Sequence, residues 1–273
     1  MTHDIARVIG ELRERIPGLR ITQLHVKFPA DDAGLWFVGH EADGPRGICQ
    51  LESSTFDFPF LFESELSDVA HVAIDVEEAA TLVDHVVVRR VAPDIPRMQP
   101  PVLSAPTEAL TWLADRGASA WLVRHHELVL EAAEALLAEL SPLLPRSTCH
   151  RFVLLGAALH DVGKLIHPEE MRAPGHRHEL AGSQLLGYLN VNVARVAVTH
   201  AAWTDPRAEL EDRLVALADK LWKGKRDTEL EQALVDELAR LTGRERWATF
   251  ETFDSAAERV AAGGPERLAR SEV

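Results

Sequence analysis

The stretch "GAALHDVGKLIHP", residues 156–168, sets an apolar helical run against an imidazole and a carboxylate placed side by side. From Phe152 to Leu159 nearly every residue is apolar, so His160 and Asp161 arrive at the end of a segment that should be buried. A buried carboxylate without a partner costs several kcal/mol, and such groups are normally paired or bound to a metal. Either this helix end is exposed, or His160 and Asp161 have a cation to hold.

Working outward, the same anomaly recurs. A segment expected to be helical over 119–140 carries Trp121, Leu122, Leu128, Val129, Ala132, Ala133, Leu136, Leu137 and Leu140 at helical spacing, and His125 completes that apolar stripe. His126 lies about 100° away around the helix. In "RLVALADKLW", Asp219 follows Val215 by four residues and precedes Trp222 by three, which places a carboxylate among core residues. His178 shares a face with Ala181, Gly182 and Leu185, and His200 follows Val196 and Ala197. Taken singly, each has a plainer reading: a hydrogen-bonded core histidine, or a carboxylate at an exposed helix edge. Taken together, five helices each offer a His, an Asp or both on an inward stripe, and independent accident is a poor account of that. Imidazole and carboxylate without thiolate suit Fe, Mn, Co or Ni in near-octahedral geometry better than a structural zinc.

Composition bounds the function. The chain has 273 residues, 46% hydrophobic and 26% charged, an ordinary globular balance. Its net charge of −14 is poorly suited to tracking a nucleic-acid backbone, so a long nucleic acid is a weak candidate partner. Two cysteines without a CxxC pair indicate neither a disulfide framework nor a zinc ribbon, and a reducing cytoplasm fits. The opening "MTHDIARVIGELRERIPG" has no apolar signal core, and no apolar run approaches a membrane span, so a soluble, cytoplasmic chain with no membrane partner is expected.

The pattern of the chain changes near residue 100. Residues 1–95 read as a small α+β domain of unknown role. It has a helix over about 4–16, strands in "ITQLHVKF" (Leu24, Val26 and Phe28 alternating), "GLWFVGH", "GICQLESS" and "FPFLFES", and a helix in "DVEEAATLVDHVV". The aromatic "FDFPFLF" reads as core strand rather than a docking patch. Residues 96–106 read as a Pro-rich linker. Residues 107–273 read as all helix, over about 107–116, 119–140, 147–164, 178–190, 193–203, 206–225, 228–241 and 247–261, with Ser119, Ser147 and Asp227 as N-caps. The fold class is therefore mainly α, a helical bundle preceded by a small α+β domain.

The ordered set His125, His160-Asp161 and Asp219, with "ALHDVGK" in the middle and "ALADK" at the end, resembles the HD superfamily of metal-dependent phosphohydrolases over roughly residues 105–245. His178 and His200 match the two extra histidines of members that hold two metals. The layout is similar to that of bacterial HD enzymes that hydrolyse dinucleoside tetraphosphates. The resemblance implies an HD-type bundle in which His125, His160, Asp161 and Asp219 ligate one divalent transition metal ion and His178 and His200 another, with Asp161 bridging. It implies a metal-activated water that attacks a phosphate ester or anhydride of a small phosphorylated molecule, above all a nucleotide. Lys164 is then the candidate cation for the phosphoryl oxygens. Lys220 and Arg226, with Arg124, Lys223 and Lys225, flank the ligands as a candidate mouth for substrate, although a solvated helix face accounts for the same cluster. Some HD-fold proteins with two irons are oxygenases, which is the rival reaction. A metal-stabilised binding or signalling module is the non-enzymatic one. The chain could also form a homo-oligomer.

Overall fold

Two hydrophobic periods, two residues before about position 100 and 3.6 after it, divide the protein into a part that must form a sheet and a part that must form helices. A computed structural model describes residues 3–25, 34–189 and 192–272. It groups Met1–Pro101 with Tyr188–Asn190 as one compact unit, and Val102–Gly187 with Val191–Val273 as another. The architecture is mainly α with one small antiparallel sheet.

In the first unit, helix α1 (Asp4–Arg15) precedes strands β1 (Arg20–Gln23), β2 (Leu35–Gly39), β3 (Cys49–Glu52), β4 (Phe60–Ser64) and β5 (Ser67–Ala73). The strands pair only with their sequence neighbours, in the order β1-β2-β3-β4-β5 and antiparallel throughout. Alternation puts Trp36, Val38, Cys49, Leu51, Phe60 and Phe62 on the buried face. Phe58, Phe60 and Phe62 of "FDFPFLF" are thus core residues. Gly47, at φ 63°, turns the chain from β2 into β3, and a Cβ there would sit 2.3 Å from the Val38 carbonyl oxygen. Helix α2 (Val76–Val83) packs against α1, β4 and β5. Of the expected first strand, Val26 and Phe28 lie outside the described residues. The expected linker is not a bare tether, since Pro96–Met98 forms a short turn with Met98 buried.

The second unit contains α3 (Pro106–Asp115), α4 (Ala120–Leu140), α5 (His150–Leu159), α6 (Arg177–Tyr188), α7 (Val196–Thr199), α8 (Leu210–Leu221), α9 (Thr228–Thr242), α10 (Arg246–Ala262) and α11 (Gly264–Arg270). Helix α4 is the spine, packed by α3, α5, α8 and α10. Ser119 and Asp227 cap α4 and α9 as expected, accepting hydrogen bonds from the amides of Leu122 and Leu230. Ser147 does not cap α5, which begins three residues later, at His150. The expected helices over 147–164, 193–203 and 206–225 are shortened, because periodicity runs on through residues that form turns and irregular chain. None of the described helices is long and apolar enough to cross a membrane.

Candidate metal centre

Each side chain of the site comes from an element whose apolar face is already committed to the core. Helix α4 buries Leu122, Val129 and Ala132, and His125 on the same stripe goes in with them. Its ring is gripped by two indoles: Trp121, one turn earlier, stacks at 5.5 Å and 5°, and Trp222 meets it edge-on at 5.3 Å. Helix α5 ends at Leu159, and the chain leaves it through His160 and Asp161 (φ −102°, ψ 17°) into a tight turn at Val162–Leu165. Two consecutive residues reach one site because the helix stops between them. Gly163 permits this by its size rather than by an unusual φ, since a Cβ there would lie 1.8 Å from the His178 carbonyl oxygen in α6. His178 enters from the first turn of α6, His200 from just past α7, and Asp219 from the last turn of α8.

These six residues converge. The Nε2 atoms of His125 and His160 are 3.1 Å apart. Asp161 Oδ2 lies 3.2 Å from His125 Nε2 and 3.6 Å from His160 Nε2, and Asp219 Oδ1 lies 3.7 Å from both. The other oxygen of the same carboxylate, Asp161 Oδ1, lies 3.2 Å from His178 Nε2 and 3.5 Å from His200 Nε2. One carboxylate therefore faces two sets of nitrogens, one through each oxygen.

Hydrogen bonds behind the rings decide what the rings present. His160 Nδ1 is 3.0 Å from the Ala157 carbonyl oxygen, and His200 Nδ1 is 2.9 Å from that of Val196. A carbonyl only accepts, so both rings donate from Nδ1, and in their neutral form both turn an Nε2 lone pair inward. Lone pairs then face carboxylate oxygens, and Asp161 Oδ1 is buried without a hydrogen bond. A cation between them relieves that repulsion. Donor atoms on a cation with bonds of about 2.1 Å are spaced by about 3.0 Å along an octahedral edge, close to the shorter separations here. The groups His125–His160–Asp219 and His160–Asp161–His200, buried except for the half-buried Asp219 and each with ligand atoms within 4.8 Å of one another, could hold a metal ion.

Charge is arranged to the same end. Burial works against the charged form of Asp161, yet His160, His125, His178 and His200 hold its carboxyl well below the usual range. Burial likewise opposes Asp219, which His160, Lys223 and His125 keep strongly acidic. Burial also opposes protonation of His200 and His178. Asp161 nevertheless lifts both above the ordinary imidazole value, with help from Glu170 at His178. In His160 burial prevails and the ring is harder to protonate than usual.

Lys164 lies beside Asp161, its Nζ donating to Oδ2 at 2.5 Å. The Arg226 guanidinium donates to both oxygens of Glu231 at 2.7 and 2.6 Å and to Asp254 at 2.6 Å, which ties it to α9 and α10. Lys220 follows Asp219 on α8, and among the described residues it forms no ion pair. The cation beside Asp219 is Lys223, at 3.8 Å from Oδ2 and lying over the Trp222 ring. Arg124 pairs with Glu127 at 2.6 Å.

Two residues of the site escaped sequence reasoning. His126, fully buried, has Nδ1 3.0 Å from the Leu122 carbonyl oxygen and accepts the Asp161 backbone N–H at Nε2, 3.3 Å away. Its burial keeps the ring neutral. Glu170 holds His178 Nδ1 at 2.6 Å. The only signal for either was proximity in sequence to a ligand, which many surface residues share.

No family model, no curated protein and no solved structure matches the chain.

Proposed function

We propose that the chain is a metal-dependent phosphohydrolase of the HD type, whose site holds two divalent transition metal ions and takes a small phosphorylated molecule, above all a nucleotide. The observation that carries the reading is Asp161, with Oδ2 toward His125 and His160 and Oδ1 toward His178 and His200. A carboxylate shared in this way suits two cations better than one. Such a pair, when bound, supplies an activated water and neutralises charge on phosphoryl oxygens.

The chain's own groups then have distinct tasks. Asp161 and Asp219 supply the negative charge, and the four imidazoles are aimed by the indoles, carbonyls and carboxylate behind them. Lys164, with its side chain only 14% exposed, keeps an ammonium beside Asp161 and has further N–H donors for a phosphoryl oxygen. Lys223 offers a second cation on the Asp219 side. Ala157, Ala158, Leu159 and Val162 exclude water from behind the site.

Lys164 favours phosphate over dioxygen as the substrate, since an anionic ester rewards an ammonium at the site. The deciding experiment is elemental analysis of the purified protein beside an anaerobic screen of nucleotides and other phosphate esters with Mn or Co. Release of phosphate or a nucleoside phosphate supports the reading. Oxygen uptake with a mixed-valent iron signal points to an oxygenase, and binding without product over hours points to a metal-stabilised module.

A further inference from the structure

We infer that the two metal positions are unequal, and that Glu170 is the positioning residue that loads the weaker one, the His178–His200 side of the centre. The inference rests on the two-metal reading above.

The reason begins with helix geometry. A histidine inside a helix can donate Nδ1–H to a carbonyl one turn earlier, as His126 does to Leu122 and His200 to Val196, while His160 uses Ala157. His178 cannot do so. It is the second residue of α6, and the residue four before it is Pro174, outside the helix. A side chain has to take the carbonyl's place, and Glu170 does, with Oε2 2.6 Å from Nδ1.

The structure is built to keep Glu170 there. Its Oε2 also accepts the His178 backbone N–H at 3.0 Å, and Oε1 accepts that of Arg177 at 3.2 Å, so the carboxylate caps the start of α6. The side chain is 6% exposed. Gly175 makes room for it, since a Cβ at that position would lie 2.2 Å from Glu170 Oε1.

Electrostatics gives the placement its consequence. The His125–His160 side has Asp219 and one oxygen of Asp161 facing it. Among the described residues, the other oxygen of Asp161 is the one carboxylate oxygen that pairs directly with the His178 and His200 Nε2 atoms. Glu170 supplies the missing negative charge at one remove, through the His178 ring, and a carboxylate behind an imidazole raises its basicity toward a metal. The His125–His160–Asp219 position therefore fills first, and the second depends on Glu170.

The test titrates metal-free protein with Co(II), following metal bound per chain and the Co(II) ligand-field spectrum. Wild type is expected to take up two equivalents with separable affinities. Glu170→Gln keeps one acceptor oxygen, enough for the His178 side of the cap, but removes the charge and sets an NH2 donor against the Arg177 amide. It should weaken the second equivalent 10- to 100-fold, a range on the order of that seen for groups behind metal ligands, and leave the first unchanged. His178→Gln should lose the same equivalent, and the double variant should add little to it. Glu170→Asp, which retains the charge but draws back from Nδ1, should give a smaller selective loss and serves if the Gln variant does not fold. Wild-type affinity for both equivalents in the Glu170 variants overturns the inference, as does equal weakening of both. Fewer than two equivalents in wild type overturns the two-metal reading and the inference with it.

Discussion

His125 and His160, thirty-five residues apart in sequence, bring their Nε2 atoms to 3.1 Å, with Asp219 Oδ1 3.7 Å from each. Three groups on α4, at the end of α5 and on α8 thus share one vertex inside the bundle, in an arrangement that could hold a metal ion.

Metal should therefore contribute stability as well as chemistry. A ligand that binds only the folded state at 100 times its dissociation constant adds about 2.7 kcal/mol. Adding Mn or Co to chelator-treated protein is expected to raise Tm by several degrees in calorimetry. Asp161→Asn should lose most of that rise, because it removes charge from both sides of the centre.

Gly163 is a packing requirement. Gly163→Ala forces a Cβ into the His178 backbone, 1.8 Å from its carbonyl oxygen, and backbone cannot rotate away as a side chain can. The expected loss is about 3 kcal/mol or more in urea unfolding, with reduced metal affinity as α6 is pushed back.

His126 is predicted to act on the site through the Asp161 backbone. His126→Leu leaves that buried N–H without its acceptor and should cost about 1–3 kcal/mol. His126→Gln, whose amide oxygen can replace Nε2, should recover part of the stability and of the metal affinity measured on the same protein.

Arg226 is expected to matter for stability alone. Arg226→Ala removes a partly exposed fork to Glu231 and Asp254, worth about 1 kcal/mol. Once a phosphorylated substrate has been found, its KM should not change in this variant, whereas Lys164→Ala should impair turnover.

Acid should weaken the first unit through His71, fully buried beside Phe62. Burial lowers its folded pKa, so the folded ring resists a proton that the unfolded chain accepts. Stability from this group is present above the unfolded value of about 6.5 and falls as pH drops below it. Urea midpoints measured from pH 7.5 to 5 should decline less in His71→Phe than in wild type.

The residues of the candidate site were legible in the sequence because each is a polar residue at an apolar register, and helical period alone says which way such a residue points. His125 among Leu122 and Val129, and Asp219 among Val215 and Trp222, needed no coordinates to be noticed. The change of period near residue 100 likewise separated sheet from bundle. What lies beyond the ends of helices was not legible. Glu170 sits in a Pro- and Gly-broken turn with no period to read, His126 lies off the main stripe, and Arg226 looked free because the positions of Glu231 and Asp254 depend on how α9 meets α10. A side chain's direction is a local property, set by φ and ψ and the residues one turn away. Which carboxylate stands behind which imidazole, and whether a glycine is there for its turn or for its size, depends on segments brought together from far apart in the chain, and only the packed structure decides that.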